Sequence, residues 1–146
     1  MKFSKTTEYA LRILSYMSLD ETKLYSANEL FEKLQIPFRY LRKQMNFLLK
    51  QGFLVSIQGK QGGYQIARPL IEISLMDIVE ATDDNKMENM CFFGFHECPL
   101  TKHCAMHDKW GDVRDQTLEI LKTTTLLDLK QENNTVNLSL KLNTHN

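Results

Sequence analysis

Two runs rich in β-branched and aromatic residues, FLVSI (53–57) and YQIA (64–67), flank the glycine-rich stretch GKQGG (59–63). This pattern predicts a β-hairpin, because the strand formers supply the pleated surface and the glycines supply the backbone freedom of the loop. The residues just before it read as a helix from about Pro37 to Lys50. Leu41, Met45, Leu48 and Leu49 recur at helical spacing, and Gly52 closes the helix. A hairpin placed so soon after an amphipathic helix restricts the chain to few small-domain architectures.

The upstream residues narrow the choice further. Ala10, Ile13, Leu14 and Met17 define a helix over about 5–19, with Lys5, Glu8 and Arg12 off the stripe. Ser26 followed by Glu29 is a capping-box pattern that opens a short helix from Ala27 to about Leu34. Pro37 then stops one helix and starts the next. Two helices joined by a tight turn, the second exposing Arg, Lys and Asn, follow the helix-turn-helix plan, and the hairpin behind them is a wing. Arg matches guanine edges, Asn matches adenine, and Lys suits phosphate. The candidate DNA-contacting residues are therefore Arg39, Tyr40, Arg42, Lys43, Asn46 and Lys50 on the second helix. On the wing they are Lys60 and the backbone amides of Gly62 and Gly63.

Charge supports this reading. The chain of 146 residues is neutral overall, but residues 33–71 carry seven basic side chains and no acidic one. Such an asymmetry points to a polyanionic partner, namely a double-stranded DNA operator. A solvated basic face is the plain alternative. No apolar run approaches the ~18–20 residues needed to span a bilayer. MKFSKTTEYALRILSYM lacks the continuous apolar core of a secretion signal. A cytoplasmic protein with no membrane partner is expected. No P-loop, dinucleotide fingerprint or nucleophile–base pair occurs, so neither an enzyme nor a small-molecule substrate is expected.

Ser74, with Asp77 three residues on, caps a second short helix, LMDIVEAT. DDNKMENM reads as a connector. Residues 105 to about 123 form the longest helical pattern, with Met106, Trp110, Val113, Thr117, Ile120 and Leu121 on one face. A long amphipathic helix at the end of a small domain is most economically covered by a second copy, and helix-turn-helix proteins commonly bind DNA as dimers. Packing on the first helix is the alternative. The Asn-rich tail QENNTVNLSLKLNTHN has no assigned role.

All three cysteines and three of the four histidines fall in residues 90–110, with the spacing Cys91-x6-Cys98-x5-Cys104-x2-His107. Soft thiolates select iron–sulfur clusters, zinc or copper(I). A four-coordinate site needs one more ligand, and His107 stands at the i+3 position from Cys104, with His96 and His103 nearby. A redox-active thiol set and coincidence are the other readings.

Taken together, "KTTEYALRIL", "YLRKQMNFLLKQGFLVSIQGKQGGYQIAR" with its GxxGGY wing, "ISLMDIVEA" and the cysteines running into "CAMHDKW" resemble the Rrf-two family of bacterial transcription regulators over about residues 1–129. The resemblance implies a homodimeric winged-helix repressor or activator whose long helices cross between subunits. It also implies that Cys91, Cys98 and Cys104 bind a 2Fe–2S or 4Fe–4S cluster. The fourth ligand it implies is His107 in the IscR-like branch, or Glu8 of the other subunit in the NsrR-like branch. Two departures stand out. Six residues, not five, separate the first two cysteines, and Arg42 replaces the glutamate of IscR-like members, which should change the operator read. Some family members lack the cysteines altogether. A winged-helix regulator acting through thiol oxidation, zinc or a protein partner is therefore the competing expectation.

The expected organisation is a mostly α fold with a small β-hairpin wing. A winged helix-turn-helix domain spans 1–82, a cysteine-bearing loop 83–104, a dimerisation helix with a short turn 105–129, and a polar tail 130–146.

Overall fold

A computed structural model describes residues 3–82, 91–95, 98–100 and 104–132. The connector before Cys91, His96, His103 and the tail beyond residue 132 lie outside the described residues.

Helix α1 spans Lys5–Met17 and runs on into a 3-10 turn at Ser18–Asp20. Ser4 caps it by accepting the Thr7 N–H at 3.2 Å, and Thr7, Ala10, Ile13, Leu14 and Met17 form its buried face. Helix α2 spans Ala27–Leu34, and the Glu29 N–H donates to Ser26 Oγ at 3.1 Å. The Glu29 carboxylate binds Lys23 and Tyr16. The expected cap is thus present at Ser26, while the Glu29 side chain ties α2 to the segment before it.

Helix α3 spans Phe38–Lys50. Between α2 and α3, Gln35 takes a left-handed conformation (φ 55°) and Ile36 is buried. The side chain of Ile36 anchors the turn in the core and Pro37 prevents the two helices from merging. After α3 the chain reverses at Gly52 (φ 81°), whose N–H donates to the Leu49 carbonyl. Strands β1 (Leu54–Ile57) and β2 (Gly63–Ile66) then pair antiparallel, with Leu54 opposite Ile66 and Ile57 opposite Gly63. Tyr25 bridges to Tyr64 through both backbone hydrogen bonds, at 2.9 and 2.8 Å, so the segment before α2 braces β2 near the turn of the hairpin. This is the expected winged-helix architecture.

Leu30, Ile36, Leu41, Met45, Leu48, Phe53 and Leu54 close the core against α1. Helix α4 (Leu75–Thr82) adds Ile78 to that core, and Thr82 Oγ1 meets buried Thr7 Oγ1 at 2.7 Å. The Ser74–Asp77 cap forms in both directions, at 2.9 and 3.1 Å.

Helix α5 (Ala105–Thr123) packs on α4. Leu118 and Leu121 bury against Met76 and Val79, with Phe3 and Leu75 at the edge. The intrachain partner of the long helix is thus α4 rather than the bulk of α1. Val113 and Ile120 stay exposed. At its end the chain is stitched back, as Leu75 N–H donates to Thr124 O and Leu126 N–H to Ile73 O, both at 2.9 Å. A second reciprocal cap, Thr125 with Asp128, opens a final helical segment α6 at 126–132. Leu126 is fully buried, and Lys130 pairs with Glu21 across the fold.

Candidate nucleic-acid interface and cysteine loop

The exposed face of α3 is built by default: its apolar residues turn inward at helical spacing and its cations remain outside. Arg39, Tyr40, Arg42, Lys43, Asn46 and Lys50 are all exposed, while Leu41, Met45 and Leu48 are buried. Arg42 lies over the Phe38 ring at 6.0 Å, and Phe38 meets Phe31 edge-on at 5.6 Å. Tyr40 leans on Tyr9 of α1 with ring centroids 6.2 Å apart. The exposed cations of α3 are thus interleaved with aromatic rings held by the neighbouring helices.

Lys60 is exposed in the hairpin loop. The loop has no room for side chains at two of its glycines. A Cβ on Gly62 would lie 2.0 Å from the Ile57 carbonyl oxygen, and one on Gly63 2.8 Å from that of Tyr25. These glycines set the shape of the wing by close backbone approach.

The sequence reading missed Phe31 and Phe38. Both are large apolar residues left exposed, at 43% and 39%, beside the helix that carries the arginines. Phe38 directly follows Pro37 at the first position of α3, a place from which helix-turn-helix proteins reach base edges. That position was the available signal.

Cys91, Cys98 and Cys104 are free thiols of intermediate exposure. Cys104 caps α5, its carbonyl accepts the His107 N–H at 3.1 Å, and the His107 side chain is exposed. Gly94 turns the loop at φ 80°, with its N–H on the Cys91 carbonyl. Phe92 joins the loop to α5 by an edge-on contact with Trp110 at 5.5 Å. Glu8 sits half-buried on α1, 2.9 Å from Lys5. Among the described residues, no three His, Cys, Asp or Glu side chains come together as a metal site. The donor chemistry suits a thiophilic metal or cluster, since three unpaired thiols stand in one loop with an imidazole one helical turn on. The structure does not gather them.

A family model described as Rrf2, an iron-dependent transcriptional regulator, matches residues 3–132. The chain belongs to the Rrf2 family. Among similar proteins, the "Putative HTH-type transcriptional regulator" of Aquifex aeolicus is 34% identical over 131 residues, covering 88% of this chain and 91% of that protein. The HTH-type transcriptional regulator NsrR of Geobacillus kaustophilus is 30% identical over 134 residues, covering 90% and 91%. Among solved structures, CymR, the global cysteine regulator of B. subtilis, superposes with a TM-score of 0.74 at 23% identity, over 90% of this chain and 98% of that one. The chain is therefore an Rrf2-family transcriptional regulator with a DNA-binding winged helix.

Proposed function

We propose that the protein is a homodimeric, cytoplasmic regulator whose operator binding is controlled by an iron–sulfur cluster held by Cys91, Cys98 and Cys104. The observation that carries this reading is three free thiols in one loop, running into α5 of a winged-helix chain that matches an iron-dependent regulator family over residues 3–132.

Arg39, Arg42, Lys43 and Asn46 lie at the major groove, with Arg39, Arg42 and Asn46 toward base edges and Lys43, Tyr40 and Lys50 toward the flanking backbone. Lys60 and the Gly62 and Gly63 amides follow the sugar–phosphate chain from the wing. The fourth ligand is His107 of the same chain or Glu8 of the second copy. The cluster, when bound, supplies sensitivity to iron–sulfur supply, nitric oxide or redox state. The protein acts on that signal by altering how the cysteine loop bears on α1 and α5, and so how the two α3 helices are spaced. A ligand shifts such an equilibrium only through its difference in affinity for the two states, typically worth ~1–3 kcal/mol.

The test is anaerobic purification without a metal-binding tag, followed by an absorption spectrum and iron and acid-labile sulfide assays. Sulfide equal to iron supports the reading. A colourless, sulfide-free protein after attempted reconstitution sinks it.

A second reading has its own support. The cysteines are partly exposed, as thiols that react with an oxidant would be. Mass spectrometry of peroxide-treated protein distinguishes it, since a disulfide or sulfenate that abolishes DNA binding in cluster-free protein favours direct thiol sensing.

A further inference from the structure

A cleft of about 330 Å³ opens between the first turns of α1 and the middle of α3. Lys5 and Tyr9 line it from α1, and Tyr40, Lys43, Gln44 and Phe47 from α3. Gln44 is the polar member of the otherwise apolar buried face of α3, at 5% exposure. Among the described residues its Nε2 is buried without a hydrogen-bond partner. A buried donor left unmatched is costly, and in a native fold it calls for a missing acceptor.

The surroundings say what kind of acceptor fits. Lys43 is exposed at the cleft, and Lys5 keeps donor capacity beyond its single contact with Glu8. The N-terminus of the 13-residue α1 contributes the positive end of its dipole. Ser4 Oγ occupies the Thr7 N–H, whereas the N–H groups of Lys5 and Thr6, in the first helical turn, have no intrahelical acceptor. Two ammonium groups, a buried amide and a helix N-terminus together select an oxyanion.

The location says which oxyanion. Tyr40 and Lys43 also belong to the exposed face of α3 that carries Arg39 and Arg42. The cleft is therefore continuous with that face, on its α1 side. We propose that the cleft seats one backbone phosphate of bound DNA, with Gln44 Nε2 as its buried neutral donor and Lys43 and Lys5 as its charges. This rests on the DNA-binding reading and deepens it: Gln44 fixes the protein's position on the duplex without reading a base.

The test uses the full chain and fluorescence anisotropy, on a random-sequence duplex and on an operator recovered by selection from a random library. Gln44→Leu removes the donor, keeps most of the volume and should melt no lower than wild type. It should weaken binding about tenfold on both duplexes, the loss of one hydrogen bond to a charged group. The salt slope should stay the same, because Gln carries no charge. Lys43→Gln, an exposed change that cannot disturb the core, should lower the slope by about 0.9. A single neutral methylphosphonate walked along the operator should weaken wild type at one position where it weakens Gln44→Leu no further. Wild-type affinity in a folded Gln44→Leu overturns the proposal, and so does a loss confined to one sequence. If inorganic phosphate raises the melting temperature of wild type but not of Gln44→Leu, while DNA binding is the same for both, the cleft belongs to a free anion and the assignment to DNA is wrong. Failure of wild type to bind either duplex overturns the DNA-binding reading itself, a result distinct from failure of the cleft.

Discussion

The Arg42 guanidinium lies 6.0 Å from the centroid of the Phe38 ring, one helical turn away on α3. A guanidinium held over a ring loses conformational freedom before it meets DNA, and if Arg42 reads a base its planar fork suits one guanine edge. Arg42→Ala should cost about 1–3 kcal/mol on the selected operator and relax the preference at one base pair. Arg42→Lys should restore much of the affinity but not the preference, because an ammonium is a point charge. Selection of binding sites with each variant checks this. Unchanged selectivity in Arg42→Ala removes Arg42 from base reading.

Gly63 makes a claim about shape rather than charge. Its missing Cβ would stand 2.8 Å from the Tyr25 carbonyl oxygen, which accepts the Tyr64 N–H in the bridge that braces β2 near the turn of the wing. Backbone cannot retreat there without breaking that bridge. Gly63→Ala should therefore destabilise the fold by about 1–3 kcal/mol, the usual cost of forcing atoms into a filled space. Urea denaturation measures it. Gly52 has no heavy atom within 4 Å of an added Cβ. Gly52→Ala there reports only the strain of φ 81° and should cost less.

The hairpin, the Ser26 and Ser74 caps and the inward stripe of α3 were legible in the sequence because each is local. Turn chemistry and helical spacing act over a few residues and need no knowledge of the rest of the chain. Three features were not legible. Gln44 falls on the apolar face of α3, and polarity alone argued for solvent. Leu118, buried against α4, was absent from the stripe expected for α5, since several apolar faces of that helix compete and only tertiary packing selects one. The α6 segment began at a T-x-x-D pattern, Thr125 to Asp128, with the same form as the cap at Ser74. It is short and follows α5 so closely that helical spacing alone does not separate it from a simple turn.

The Lys130–Glu21 pair gives α6 a pH dependence. The hydrogen bond from Lys130 holds the Glu21 carboxyl below its ordinary value of 4.5. A carboxylate lowered on folding contributes stability that is present above its unfolded value and is lost as pH falls through the folded value. Acid should therefore loosen α6 from the segment after α1 below about pH 4.5, and Glu21→Gln should remove that part of the pH dependence. Both side chains are partly exposed, so the effect should shrink in high salt. Hydrogen exchange of the Leu126–Leu129 amides across pH, in wild type and Glu21→Gln, reads it out.

Val113 and Ile120 are 51% and 61% exposed on α5, about two helical turns apart on the side of the helix left uncovered. If a second copy covers this side, a charge placed there must be desolvated on association. Val113→Glu with Ile120→Glu should convert the dimer to monomer in sedimentation equilibrium, while the Leu118 and Leu121 contacts with α4 keep each chain folded. Operator affinity should fall sharply, because a monomer engages a single half-site. A double variant that remains dimeric would place the subunit contact elsewhere.

If Cys91, Cys98 and Cys104 hold a cluster, its fourth ligand can be assigned by contrast between two variants whose side chains have different surroundings. His107 is exposed at the start of α5, whereas Glu8 is half-buried on α1 and touches Lys5. Cys104→Ser should abolish iron and acid-labile sulfide in reconstituted protein outright, since a hydroxyl is a poor substitute for a thiolate. His107→Ala and Glu8→Ala should differ. The true ligand's loss should shift the visible spectrum and speed cluster loss in air, and the other variant should match wild type. Glu8→Ala has one further signature. If Glu8 reaches the cluster of a second copy, the monomeric Val113→Glu, Ile120→Glu protein should show the same spectral defect, and Glu8→Ala added to it should have no further effect. A monomer with a wild-type spectrum assigns the ligand to His107 within one chain.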